Sequence, residues 1–198
     1  MVEKIKRDVR ITTIYEGTSE IMEMTIARDR WQEHLKTRGQ FYHTMAGTFE
    51  QIQAATPNLG AGVVALAMHS LAVVLERARI GHLTRNQHVL LRFGEIIAWV
   101  ECAGSLARRA HRAATNKLNA KTDKRLNPDQ LAAFSRVFAR EAALKVASDG
   151  ARLVIGGGDR AEVVAGLGEA MHLPDIYNAQ TGLIADMDYV ADFLCGDR

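Results

Sequence analysis

Proline and aromatic residues are scarce in this sequence, and their scarcity restricts the fold. Only three prolines occur, at positions 57, 128 and 174, so most of the chain lacks the residue that interrupts helices. Aromatic residues make up 6% of the chain, whereas hydrophobic residues as a group make up 47%. Because strands favour aromatic and β-branched residues, this balance predicts an all-α protein with a folded core.

Cysteine and net charge are also low. Cys102 and Cys195 lie far apart and in no motif, which predicts a reducing, cytoplasmic setting. A formal net charge of +2 does not indicate a nucleic-acid partner. Charges in residues 1–6 do not fit a signal peptide. The most apolar run, residues 59–75, is shorter than the roughly 20 residues of a membrane-spanning helix. We therefore expect it to form a buried helix.

Capping signals and apolar spacing predict helices joined by short connections. Residues 1–17 are expected to be irregular or extended, because β-branched and aromatic residues fill positions 11–15. Thr18 or Ser19 would cap a helix over residues 19–38 that ends at Gly39. One stripe of this helix combines apolar residues with one arginine: Ile21, Met24, Arg28, Trp31 and Leu35.

The remaining helices are predicted to form an up-and-down bundle. Asn58 would cap the second long helix, and Asn127-Pro128 is a start signal for a later one. No alternation long enough for a sheet occurs. The further helices are predicted over residues 41–54, 59–83, 87–116, 128 to the glycines 156–158, and 160–171, with a last helix or a pair of short helices over 175–194.

Several polar residues in these helices have a simple structural interpretation. His69 is expected to be a hydrogen-bonded core histidine, and Cys102 a small core residue. Glu95 and Glu101 are expected to pair with Arg92 or Arg108. The histidines have no metal-ligand spacing, so no metal site is predicted.

A carboxylate in residues 7–20 is the strongest candidate for chemistry. Glu16 stands between Tyr15 and Gly17, and a Thr-Ser pair follows that opens the first long helix. A carboxylate at the start of a helix can be aimed at a substrate, and a glycine beside it allows close approach to the backbone. Taken alone, one carboxylate is a weak signal, and a solvated loop glutamate is the simpler interpretation.

This stretch resembles the catalytic-base segment of the acyl-CoA dehydrogenases, whose motif is Tyr-Glu-Gly-Thr. The resemblance implies the C-terminal part of an FAD-dependent enzyme of the longer type, very-long-chain-like or bacterial, with an extra helical domain. Residues 1–40 would be the end of the catalytic C-terminal domain and its final helix. Residues 41–198 would be the appended bundle.

The resemblance also implies roles for single residues. Glu16 would be the base that takes the α-proton of an acyl-CoA thioester while a hydride passes to FAD. The backbone N–H of Glu16 would bind the thioester oxygen. Tyr15 and Gly17 would line the substrate cleft, and Thr18 and Glu20 would contact the flavin.

The implied partners follow from the same resemblance. They are an acyl-CoA substrate, the rest of the dehydrogenase core, further copies of the chain in a homo-oligomer, and electron-transfer flavoprotein as acceptor in fatty acid metabolism. The chain alone is not expected to retain FAD or turn over substrate. Without the core, Ile21, Trp31 and Leu35 would be exposed, so residues 1–38 are expected to be mobile or covered by the bundle or a second copy.

A non-catalytic alternative is a helical assembly module or one that docks on a membrane surface. Residues 108–125 hold seven lysines and arginines against one acid, Asp123, and such a run can attract anionic lipid. Large apolar residues are few in it, so a solvated helix end is the favoured interpretation.

Overall fold

The computed structural model of this protein describes residues 2–11, 17–119, 121, 125–157 and 161–196. These residues form α-helices and no strand, which confirms the all-α prediction. The helices are α1 Val2–Arg10, α2 Ser19–Lys36, α3 Phe41–Ala55, α4 Ala61–Ile80, α5 Gln87–Ala114, α6 Pro128–Lys145, α7 Ala151–Gly156, α8 Ala161–Ala170, α9 Leu173–Asn178 and α10 Leu183–Cys195. A 3₁₀ turn, Leu83–Arg85, joins α4 to α5, and a π-helical turn, Val146–Gly150, joins α6 to α7.

Local sequence signals set most of the helix ends. Thr18 caps α2, and Asn127 forms a capping box with Gln130 at the start of α6. Asn58, however, does not cap α4. It adopts a left-handed conformation (φ 67°), and Gly60 (φ 78°) precedes the helix instead. A side chain on Gly60 would lie 3.0 Å from Cα of Arg136, so this turn requires glycine on two counts.

The prediction that residues 1–17 are irregular is wrong for Val2–Arg10, which is helical. Glu3 and Arg7 form an i,i+4 ion pair at 3.1 Å, and Ile5 and Val9 share a face of this helix. The β-branched residues on which the prediction was based lie after the helix. Residues 12–16 lie outside the described part of the chain, so the prediction stays open there.

The core of the bundle lies between α3, α4, α5 and α6. Its largest fully buried side chains include Tyr42, Phe49, Met68 and Phe93. Among the described residues, α4 is the one helix long and apolar enough to cross a membrane, and 61% of its most apolar window is buried in the protein. This burial fits the predicted core helix.

Helix α2 packs against α5, so it contacts the bundle across the boundary predicted near residue 40. Further along the chain, α10 packs against α6. The division into domains 1–40 and 41–198 stays a prediction.

Two expectations for polar residues on α5 are wrong. Cys102 is exposed rather than part of the core, because the neighbouring positions Ala103 and Gly104 face inward. Glu101 pairs with Arg30 of α2 rather than with Arg108. The expected pair of Glu95 with Arg92 is present at 2.7 Å.

Candidate active-site segment and the helix that carries it

Glu16 and Tyr15 lie outside the described residues, and the description of the candidate site begins with Gly17. Gly17 has φ 115°, a conformation that side-chain-bearing residues rarely adopt. A Cβ atom at this position would meet its nearest neighbour, Sδ of Met22, at an ordinary 3.5 Å. Backbone conformation, and not lack of space, therefore requires glycine immediately after Glu16.

Thr18 and Glu20 are used by the first turn of α2. The Thr18 hydroxyl oxygen accepts a hydrogen bond from the Ile21 N–H at 3.4 Å. Hydrogen bonds from its own backbone N–H and from the Thr18 hydroxyl hold the pKa of Glu20 below its usual range. Glu20 is therefore ionised at neutral pH, which suits the positive end of the helix.

This part of the site is open to solvent. Thr18, Ser19 and Glu20 are all exposed, and Gly17 is partly so. A carboxylate acts as a base near neutral pH when its surroundings exclude water and raise its pKa. The described residues at the start of α2 do not by themselves provide such surroundings.

Helix α2 turns a mixed side toward the bundle, where Ile26, Ala27 and Trp31 pack on the core beside polar residues. Its buried residues are Ala27 and His34, with 2% and 0% of their surfaces exposed. Of the three residues expected to be exposed, Ile21 and Leu35 are 59% and 47% exposed, and Trp31 instead packs against the core. Trp31 is partly buried and stacks on His34 with ring centroids 5.7 Å apart.

Near its N-terminus, α2 crosses α5 with backbone against backbone. A Cβ atom on Gly94 would lie 2.1 Å from the carbonyl oxygen of Glu23 and 2.7 Å from its Cα. Real Cβ atoms do not approach backbone this closely. The absence of a side chain at Gly94 therefore sets the distance between the two helices, five residues after the Thr18 cap.

Two turns further along, Arg30 binds the carboxylate of Glu101 through two hydrogen bonds. Nε and Nη2 of Arg30 lie 2.5 and 2.9 Å from the two oxygens. The Tyr42 hydroxyl donates to the same carboxylate at 2.9 Å. Its hydrogen bond to Glu101 raises the pKa of Arg30, and burial raises the pKa of Tyr42, so both remain protonated. This contact joins α2, α3 and α5.

At the C-terminal end of α2, His34 meets α4. His34 Nε2 lies 3.2 Å from Glu76, which is itself bound by Arg79 at 2.6 Å. Burial lowers the pKa of His34 despite the neighbouring carboxylate. Its Nδ1 has no hydrogen-bond partner among the described residues. The imidazole is therefore neutral near pH 7, with Nε2 donating to Glu76.

A second histidine contact, between α3 and α4, was not predicted from the sequence. His43 Nδ1 lies 2.7 Å from His69 Nδ1, and His69 Nε2 lies 3.1 Å from Glu50. His69 is thus hydrogen-bonded as predicted, although its side chain is 23% exposed. No group of three potential metal ligands occurs in the described residues. Histidines on separate helices have no fixed sequence spacing, so only the packing of α3 on α4 reveals the pair.

The described part of the basic segment lies at the C-terminal end of α5. Three arginines, Arg108, Arg109 and Arg112, line an open cleft together with Leu118. The Arg108 guanidinium lies 4.6 Å from the centre of the Phe49 ring, so part of its charge is directed onto the protein.

Comparison with known protein families matches residues 1–30 to the C-terminal domain of acyl-CoA dehydrogenases. No curated protein and no solved structure matches the chain. The matched region includes the Tyr-Glu-Gly-Thr motif and most of the first three turns of α2. It supports the resemblance to this family over these residues, and it does not extend to the bundle.

Proposed function

We propose that this chain works as part of an FAD-dependent acyl-CoA dehydrogenase, with Glu16 as the base that removes the α-proton. The family match over residues 1–30 carries the proposal, because it covers the motif that in this family contains the base. The remaining residues, from α3 onward, would be a helical domain added to the catalytic one.

Exposed apolar residues on α1 and α2 support a contact between these helices and a further protein surface. Ile5 and Val9 on α1 are 53% and 52% exposed, next in sequence to the segment that leads to α2. A helix of nine residues whose described side chains, at positions 3–9, are all exposed is marginal in water on its own. Apolar residues aligned on exposed helices mark contact surfaces. The rest of a dehydrogenase core is the occupant favoured by the family match.

In the proposed reaction, two hydrogens leave adjacent carbons of an acyl-CoA thioester. The Glu16 carboxylate takes the proton from the α-carbon, whose bonding pair forms the new double bond. FAD, when bound, accepts the hydride that leaves the β-carbon. The Glu16 backbone N–H donates to the thioester oxygen and stabilises the negative charge that develops there.

The exposed start of α2 defines what the rest of the enzyme must supply. Thr18 and Glu20 fit one edge of a flavin site, since their polar groups lie at the solvent-exposed helix start. They do not enclose one. The proposal therefore includes a flavin-binding core, assembly into a homo-oligomer, electron-transfer flavoprotein as acceptor and a cytoplasmic setting. The isolated chain would be inactive.

The cleft lined by Arg108, Arg109 and Arg112 favours a second candidate function, docking on an anionic surface without catalysis. A binding assay with vesicles that contain phosphatidylserine distinguishes the two candidate functions. Binding that falls with added salt, in a chain that never supports dehydrogenation, would favour docking.

The direct test of the first candidate uses the DNA that precedes the codon for Met1. If that region encodes a flavin-binding core in the same reading frame, the complete product is purified and mixed with acyl-CoA without oxygen. We expect the yellow flavin absorbance to bleach on addition of acyl-CoA. A complete product that binds flavin but is not bleached by acyl-CoA of any chain length would refute the proposal.

A further inference from the structure

The contacts of α2 with the bundle have a consequence for the proposed reaction. The helix that follows the candidate base is held by groups on three helices of the bundle. Gly94 and Glu101 of α5 and Glu76 of α4 contact its inward side, and Tyr42 of α3 binds the Glu101 carboxylate. We propose that the bundle positions the base-bearing segment, and that Gly94 and Glu101 are positioning residues for Glu16. This inference rests on the proposed function.

Polar contacts define the position of a helix more narrowly than apolar contacts do. An apolar face can slide or rotate by small amounts with little loss of buried area. A two-point contact between Arg30 and Glu101 fixes both the rotation of α2 and its position along its axis. The Tyr42 hydroxyl donates to the same oxygen, Oε1, that accepts from Arg30 Nε, so Glu101 cannot follow a displaced Arg30 without losing a partner.

The glycine contact adds a limit at the end of α2 nearest the base. At Gly94, the carbonyl of Glu23 lies where a side chain would otherwise stand. Glu23 lies five residues after the Thr18 cap of α2, and Glu16 precedes that cap by two residues in the sequence. Any atom added at Gly94 therefore moves the start of α2 outward. Because a misplacement of about 1 Å can cost a hundredfold in rate, such a shift would reach the chemistry.

The opposite face of α2 shows why this device is needed. Ile21 and Leu35 are exposed, whereas Ile26, Ala27 and Trp31 pack on the bundle. Under the proposed function the exposed residues contact the flavin-binding core, and the polar contacts with the bundle fix the direction of α2. The bundle sets the orientation, and the second surface contributes apolar burial.

Hydrogen exchange measured by mass spectrometry on the 198-residue chain tests the structural half of this inference. We expect Gly94→Ala and Glu101→Gln to raise amide exchange in α2 by about tenfold or more, with α4 unchanged. Gly47→Ala is the matched control, because nothing lies within 4 Å of a Cβ atom at Gly47 on α3. Equal α2 exchange in wild type and Glu101→Gln would overturn the proposal, whatever Gly94→Ala does.

Turnover of the complete flavin-containing protein tests the functional half. We expect Glu101→Gln to lower kcat by about tenfold or more while KM and flavin content stay near wild type. The kcat of Tyr42→Phe should lie between those of wild type and Glu101→Gln. Gly47→Ala should match wild type. A wild-type kcat in Glu101→Gln would overturn the positioning role and leave the proposed function intact. Absence of turnover in the flavin-loaded wild type would refute the proposed function, and the positioning role with it.

Discussion

Arg140 of α6 donates from Nη1 to the Asp186 carboxylate of α10 at 2.5 Å. Arg136 donates to the same carboxylate, and Arg140 also binds the carbonyl oxygens of Ala179 and Thr181. Only 15% of the Asp186 side chain is exposed. This one carboxylate therefore attaches the last helix, which buries no residue fully, to the bundle.

Asp186→Asn should lower the free energy of unfolding by about 2 kcal/mol, because two guanidinium groups lose their shared charged acceptor. Urea unfolding followed by circular dichroism measures the loss. Asp188→Asn on the exposed side of α10 is the control and should change stability by less than about 0.5 kcal/mol. Equal unfolding free energies for the two variants would show that the contact of Asp186 with Arg136 and Arg140 contributes nothing to stability.

The same carboxylate should make the protein sensitive to strong acid. Hydrogen bonds from Arg136 hold the pKa of Asp186 below its ordinary value of 3.8. Its stabilising contribution is therefore complete above about pH 4 and is lost as the pH falls through the lowered value. The difference in unfolding free energy between wild type and Asp186→Asn should shrink below pH 4. A difference that is constant from pH 7 to pH 2 would contradict this.

His34 and His43 should produce a second, milder pH dependence. Burial lowers the pKa of both, and His69 and His172 add to the effect at His43. The unfolded chain titrates near the ordinary 6.5 and binds more protons than the folded protein below that pH. Stability is therefore fully retained above pH 6.5 and falls as the pH drops toward the lowered values.

Thermal unfolding at pH 7.5 and pH 5.5 measures this effect. We expect a lower Tm at pH 5.5 in wild type and a smaller difference in His43→Gln, which removes one of the two groups. His88→Gln, at an exposed position on α5, should keep the wild-type difference. An unchanged difference in His43→Gln would exclude His43 as a source.

The exposed side of α2 should matter for assembly but not for stability. Ile21→Glu should change the unfolding free energy of the isolated chain by less than about 0.5 kcal/mol, since the side chain is already in solvent. In the complete protein the same change should prevent α2 from packing against the flavin-binding core. Size-exclusion chromatography and flavin content measure this loss. Gln32→Glu on α2 is the control, and if it impaired assembly equally, charge and not the apolar face would be responsible.

Glu16→Gln should lower turnover in the complete protein by about 10²–10⁴-fold, since glutamine cannot accept the α-proton. The bound flavin should remain, because the amide keeps the size of the side chain. Glu33→Gln, later on α2, should leave turnover unchanged. Bleaching at the wild-type rate in Glu16→Gln would assign the base to another residue.

The helices themselves could be predicted from short-range signals. Asn127-Pro128 opens α6 through a capping box, and Gly39 (φ 85°) follows the end of α2. These signals act through backbone geometry within a few residues, so they do not depend on the rest of the fold. The prediction failed at Asn58 because local signals do not report tertiary contacts. Asn58 is a good cap by type, but α4 begins after Gly60, where the backbone of Arg136 approaches closely.

The partners of the polar residues on α2 could not be predicted. Arg30 and Glu101 are 71 positions apart, and nothing in their local sequence connects them. The contact between His43 and His69 could not be predicted either, because it depends on the packing of α3 against α4. Cys102 had the type of a core residue, and only the rotation of α5 turned it to solvent.

By itself the sequence determined that this protein is helical, where most of its helices begin and end, and which family its first residues resemble. Each of these depends on neighbouring residues in the chain, through capping, propensity or a contiguous motif. The tertiary structure alone decided that α2 turns Ala27, Arg30 and His34 toward the bundle and leaves Ile21 and Leu35 in solvent. That choice depends on a glycine and a carboxylate on a distant helix, because a helix buries whichever side its partner can match in shape and charge.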